Sequence, residues 1–238
     1  MKGKNDILIN LFEKVQQTLN IEKTKFTWGA KYVAAMNEYG QIGVCATLGI
    51  NIDGVDLHKP DFGSIKHRIA INALVNSYLN YSEEFDGRGD IFATINFGKY
   101  QNIVMIGYFG SLARKFEGKG ITLNIFDLDQ LEMPVLPMNK QVECLQKCDC
   151  VIATSTSISN GTLTGIIGNA PNSADIFLLG PSTPMDALMF AYPNIKGLFG
   201  SVFKPFDENP LSIIAQGEGT RQFMQYMEKV YRVRKEGN

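Results

Sequence analysis

Asn102-Ile103-Val104-Met105-Ile106-Gly107-Tyr108-Phe109-Gly110-Ser111 decides the reading of this chain. Four apolar residues run into a glycine, and a second glycine three positions on opens a polar, helix-compatible segment. That is how a buried parallel strand hands over to a helix whose first amides can face a ligand. Downstream the rhythm repeats. Strands are expected at Ile103–Ile106, Thr122–Phe126, Cys150–Ala153, Ile176–Leu179 and near Gly197–Phe199, with helix-compatible segments between them. Apolar strands alternating with helices predict an α/β fold built on a doubly wound, Rossmann-like parallel sheet. Ligands of such sheets bind at the carboxyl ends of the strands.

Upstream the pattern changes. Leu8, Leu11, Phe12, Val15 and Leu19 follow helical spacing. Phe26–Met36 and Gln41–Leu48 read as a hairpin around Asn37 and Gly40. After a loop over Gly49–Gly63, Ile65, Ile69, Ala73 and Leu74 mark a second helix. This order predicts a small α+β domain over 1–95, with the charged segment Ser82–Gly89 approaching the boundary. The Rossmann-like domain then occupies 96–238. A site is expected where the two meet.

Composition narrows the function classes. A formal charge of -1, without a basic run longer than the C-terminal RVRKE, argues against nucleic-acid and anionic-membrane partners. No apolar run reaches the roughly 18–20 residues that a membrane span needs, and no signal core follows the first residues, so a cytoplasmic location is expected. Cys144 and Cys148 share a helix face, but Cys150 falls in the next strand, with no histidine near. Paired knuckles of zinc type are missing from this spacing, and reduced, partly buried thiols are expected. The two histidines, His58 and His67, lie in the small unit, and no nucleophile elbow, Walker loop or HExxH motif is present. Acid–base chemistry would therefore fall to carboxylates.

The turns after the strands carry the candidate site. Gly107 and Asp127 are twenty residues apart, the gap between a phosphate-binding glycine and a ribose-binding acid. Yet Tyr108 and Phe109 stand where a dinucleotide fingerprint wants small residues. These rings would crowd a pyrophosphate but could stack on a planar ligand. Asp127 is open to either reading, a ribose-binding acid or a helix cap. The stretch Thr154–Thr162 offers Thr154, Ser155, Thr156, Asn160, Gly161 and Thr162, more donors than one helix cap uses. Gly180, Pro181, Ser182 and Thr183 form a similar turn, with Thr183 a candidate cap. Glu218, Gly219, Thr220 and Arg221 put an acid and a guanidinium beside glycines, where Arg221 could clamp an anion.

Taken in order, IGYFGSLARKF, ATSTSISNGTL, LLGPSTPM and GEGTRQF resemble blocks of the DUF364 family, labelled as a heavy-metal chelation domain. WGAKYVAAM, QIGVCATLG and IAINAL resemble the DUF4213 domain fused in front of it. The resemblance covers nearly the whole chain. It implies an enolase N-terminal-like first domain, a Rossmann-like second domain with some likeness to methyltransferases, and a site between them. It carries no established reaction; its chemistry is linked to pterin-, flavin- or siderophore-like compounds. On matching positions it implies a role for Gly107 to Gly110, Thr154, Asn160 to Thr162, Gly180 to Thr183, Gly217, Gly219 to Arg221, and Asn72. Ser159 departs from the more apolar residue that the family places before Asn160. The expected ligand is a planar or carboxylate-bearing small molecule, stacked on Tyr108 and Phe109 and neutralised by Arg221. One rival is direct metal or metal-chelate binding through Asp127, Asp129 and Glu218. The other is a nucleotide or S-adenosylmethionine cofactor on Asp127. No cofactor is identified, and a homodimer is the base-rate expectation for such a protein.

Overall fold

The structure, a computed structural model, describes residues 6–82, 84–128 and 134–235. Helix α1 spans Ile7–Val15 and is capped by Asp6, whose Oδ1 accepts the Leu8 N–H at 3.1 Å. Strands β1 (Lys25–Trp28), β2 (Tyr32–Met36) and β3 (Ile42–Ala46) form an antiparallel meander. The first expected hairpin arm, Phe26–Met36, is thus two strands. The chain turns at Gly29, whose N–H donates to Tyr32 O, and a Cβ there would lie 2.0 Å from the Ile214 carbonyl oxygen. That constraint is tertiary, and the local sequence does not announce it.

Helix α2 (Ile65–Leu79) lies between this meander and the large sheet, and every residue from Arg68 to Leu79 is buried. The one-sided apolar stripe expected of it is therefore replaced by burial on all sides. The chain continues through β4 (Gly87–Arg88), α3 (Ile91–Thr94), β5 (Ile103–Ile106), α4 (Gly110–Glu117) and β6 (Leu123–Phe126). Then follow α5 (Gln141–Lys147), β7 (Cys150–Thr154), α6 (Thr156–Ser159), α7 (Leu163–Asn169) and β8 (Asp175–Leu179). The last elements are β9 (Ile195–Phe203), α8 (Glu208–Ala215), α9 (Thr220–Phe223) and β10 (Met227–Val233).

The α/β expectation holds. Seven strands lie in the order β4-β10-β9-β8-β7-β5-β6, and β6, β5, β7, β8 and β9 are parallel. Their order is that of a flavodoxin-like sheet, with the reversal between β5 and β7 marking the ligand crevice. The edge adds what the sequence pattern missed: β10 pairs antiparallel with β9, and β4 with β10. Strand β9 is nine residues long rather than a short run at Gly197–Phe199.

Alternating side chains cover the two faces. Ile103, Met105, Ile152, Phe177 and Phe199 join Leu112 and Phe116 of α4 on one face. Val104, Val151, Ile176 and Leu198 share a second cluster with residues of α1 and α2. Core packing is therefore continuous from α1 and α2 into the large sheet. No helix among the described residues is long and apolar enough to cross a membrane.

Candidate functional site

Two neighbouring clefts open at the carboxyl ends of the parallel strands. The first, about 500 Å³, sits over the reversal between β5 and β7. Gly107, Tyr108 and Phe109 follow β5, Asp127 and Leu128 follow β6, Thr154 ends β7, and Thr156, Asn160, Gly161 and Thr162 come after it; all line the cleft. Gly107 is required for two reasons. Its φ is +90°, and a Cβ would stand 2.9 Å from Thr154 Cβ. Asp127 Oδ2 accepts the Tyr108 N–H at 2.5 Å, so the carboxylate fixes the aromatic turn. Thr154 and Thr156 share a hydroxyl contact of 3.0 Å, and Asn160 Oδ1 accepts both N–H and Oγ1–H of Thr162. Leu48 and Leu128, 39% and 74% exposed, stand among the lining residues, and Leu48 holds a φ of +57°.

The second cleft, about 290 Å³, is lined by Gly180, Pro181 and Thr220 together with residues of α4, β9 and β10. Tyr32 and Phe109 line both clefts. The Tyr32 hydroxyl bonds Thr220 Oγ1 at 2.7 Å, and burial pushes its pKa up, so it stays protonated at neutral pH. Sequence reasoning missed Tyr32, since a tyrosine heading a strand carries no signal of its own.

Several predicted site residues are elsewhere. Asn72, Ser155, Ser182 and Thr183 are buried in a joint between α2, β3 and the large sheet. Asn72 Nδ2 and Asn76 Nδ2 both donate to Ser182 O, at 2.9 and 3.0 Å, while Ser182 Oγ accepts the Ala46 N–H. Asn80 Nδ2 donates to Thr183 O at 3.0 Å, and its Oδ1 accepts the Met185 N–H at 2.8 Å. Ser155 and Thr183 share a hydroxyl contact of 2.6 Å. Arg68 starts this ladder: Nε donates to Ser159 O and Nη2 to Ile158 O, so a guanidinium closes the end of α6 below the first cleft. Arg68, Asn72, Asn76 and Asn80 recur every four residues, a polar stripe that the sequence offered and of which only Asn72 was singled out. Gly110, Glu218, Gly219 and Arg221 line neither cleft. Arg221 is exposed on α9, and Glu218 lies 3.7 Å from Lys31, so the expected anion clamp is absent from both linings.

The DUF364 family profile, described as "Putative heavy-metal chelation", matches residues 90–233. The chain belongs to the DUF364 family. Two crystal structures of DUF364 proteins of unknown function share the fold. One, from Pyrococcus horikoshii, is 18% identical with a TM-score of 0.79 over 96% of this chain and 100% of its own. The other, from Desulfitobacterium hafniense, is 18% identical with a TM-score of 0.72 over 97% of this chain and 100% of its own. No curated protein matches the chain.

Among the described residues, this DUF364 chain holds no group of three or more His, Cys, Asp or Glu side chains placed to bind a metal ion. Asp129, one of the carboxylates considered for that role, lies outside the described residues. The cysteines are unpaired: Cys45, Cys148 and Cys150 are buried and Cys144 is partly exposed. Burial pushes Cys45 and Cys148 up to about 11 and raises Cys150 as well, with Asp175 and Asp149 adding to the last. At pH 8 an aromatic disulfide reagent is therefore expected to titrate one thiol, Cys144, in the native protein and four after denaturation. Fast reaction of all four in the native state would contradict this burial pattern.

Proposed function

We propose that the first cleft binds a planar small molecule of pterin- or flavin-like shape, and that heavy-metal handling runs through such an organic ligand. The observation that carries this reading is the pairing of Tyr108 and Phe109 with Asp127 in one cleft at the strand reversal. Aromatic faces favour a flat ring, and the carboxylate favours a ring edge that donates hydrogen bonds. Among the described residues Asp127 is the one charged side chain in that lining, and no lysine or arginine is there to balance a ligand carboxylate. The planar half of the expected ligand class therefore fits, and the carboxylate half does not. Thr154, Thr156, Asn160 and Thr162 supply neutral donors and acceptors around the ring. On the same reading, residues 1–95 form the DUF4213-like, enolase N-terminal-like unit whose Tyr32, Ala46 and Leu48 wall the cleft.

A thermal-shift screen of chelator-stripped protein tests this. The panel holds pterin and flavin compounds, S-adenosylmethionine, NAD and divalent metals. A ligand at a hundredfold excess over Kd stabilises the native state by about 2.7 kcal/mol, which for a chain of this size raises Tm by roughly 5–10 °C. Tyr108→Ala is expected to weaken a pterin- or flavin-type ligand about tenfold, through lost ring contact and area. Shifts with metals alone would overturn the proposal. A response to S-adenosylmethionine that Asp127→Ala abolishes would replace it with the nucleotide reading.

A further inference from the structure

The second cleft has a chemistry of its own. Its floor is the sheet face on which Phe199 and Ser201 alternate along β9. Lys229 of β10 stands in register directly opposite Ser201, so the two side chains share that face. Leu112, Phe109, Met224 and Met227 supply carbon walls, and Met224 is 44% exposed. Ser201 is 2% exposed, yet its hydroxyl has no hydrogen-bond partner among the described residues. A buried hydroxyl is expensive to leave unpaired, so its position on a cleft floor points to a ligand atom that completes it. The charges at the cleft are unbalanced in one direction. Lys115 and Asp90 pair at 2.6 Å, and Asp90 also caps α3 through the Ala93 N–H. Lys229 acts on the same Asp90 carboxylate, which the Lys115 hydrogen bond chiefly holds below its usual range, so two ammonium groups in the lining stand against one carboxylate.

We infer that the second cleft is a separate site for an amphipathic monocarboxylate. Its apolar body lies against Phe109, Leu112, Phe199 and Met227, and its carboxylate lies between the Lys229 ammonium and the donating Ser201 hydroxyl. Tyr32 and Phe109 divide this site from the first cleft, so the two ligands would be neighbours across one aromatic partition. This site does not depend on what fills the first cleft.

Calorimetric titration of the full chain with 2-naphthoate, and with the neutral 2-naphthamide, tests the inference. Saturable one-to-one binding of the carboxylate is expected, with the amide at least tenfold weaker. Lys229→Met, which keeps most of the apolar stem, should weaken 2-naphthoate by about tenfold or more, the cost of losing a charge-assisted hydrogen bond. Ser201→Ala should weaken it about three- to tenfold while leaving Tm unchanged or higher, because the deleted hydroxyl satisfies nothing in the free protein. A purely structural Ser201 would instead lower Tm. Tyr108→Ala should leave 2-naphthoate binding intact. The inference falls if no saturable binding occurs, if the amide binds equally well, or if neither Lys229→Met nor Ser201→Ala changes affinity. Loss of binding in Tyr108→Ala instead would assign 2-naphthoate to the first cleft and also overturn it. The first-cleft proposal stands or falls separately, on the pterin and flavin arms of its own screen.

Discussion

Gly43→Ala is expected to destabilise the protein by about 3 kcal/mol or more, a fall in Tm of roughly 6–12 °C for a chain of this length. Gly43 is the second residue of β3, paired with Ala35, where the meander presses on α2. A Cβ there would lie 2.2 Å from Ala73 O and 2.3 Å from Ser77 N, both backbone atoms of the buried helix. A flexible side chain could turn away from an added methyl; helical backbone cannot. The sheet must lift, and with it Ala46, whose N–H bonds Ser182 Oγ in the joint. Gly168→Ala in α7 is the control, since nothing lies within 4 Å of its Cβ. That change should be neutral or stabilise by about 0.5–1 kcal/mol through helix propensity. Equal melting curves for the two variants would show that the meander is not seated on α2 as described.

Gly43 also shows what kind of information the sequence carries. A glycine inside a strand announces a close backbone approach, but not which backbone approaches. The parallel strands were legible because apolar runs such as Ile103–Ile106 end at glycine turns, and burial on both faces leaves little else for such runs to do. Strand β10 was not legible. Its residues Met227-Glu228-Lys229-Val230-Tyr231-Arg232-Val233 mix charge with apolar positions, and only Val230 is fully buried. An edge-side antiparallel strand needs no continuous apolar run. The candidate site divides in the same way. Gly107, Tyr108, Phe109 and Asp127 could be assembled because strand ends converge by topology. Within Thr154–Thr162, residues 154, 156, 160, 161 and 162 line the cleft, whereas Ser155, just before α6, and Ser159, at its end, are buried. A run of hydroxyls does not say which of them points where. Arg221 failed for the same reason: its charge was visible, but its exposed side of α9 was not.

Arg68→Met is expected to cost about 3–5 kcal/mol, the range for removing one partner of a buried ion pair. Arg68 is 7% exposed, and its Nη1 meets Asp6 Oδ2 at 2.5 Å while its other nitrogens hold the carbonyls of Ile158 and Ser159. Methionine fills similar space but satisfies none of these acceptors. Asp6 in turn caps α1, so one guanidinium joins the first helix, the central helix and the loop beneath the first cleft. Asp6→Asn should cost less than Arg68→Met, because an asparagine side chain could still cap α1 and the two carbonyl bonds to Arg68 would remain. Urea unfolding of both variants measures the difference. A second readout separates packing from positioning. If Arg68 sets α6, then Arg68→Met, assayed well below its lowered Tm, should also weaken ligands of the first cleft, because Thr156 and Asn160 flank the two carbonyls that it holds. Asp6→Asn, which leaves those carbonyl bonds in place, should bind the same ligands with wild-type affinity. Equal weakening in both variants would assign the loss to general destabilisation and remove Arg68 as the residue that positions the loop.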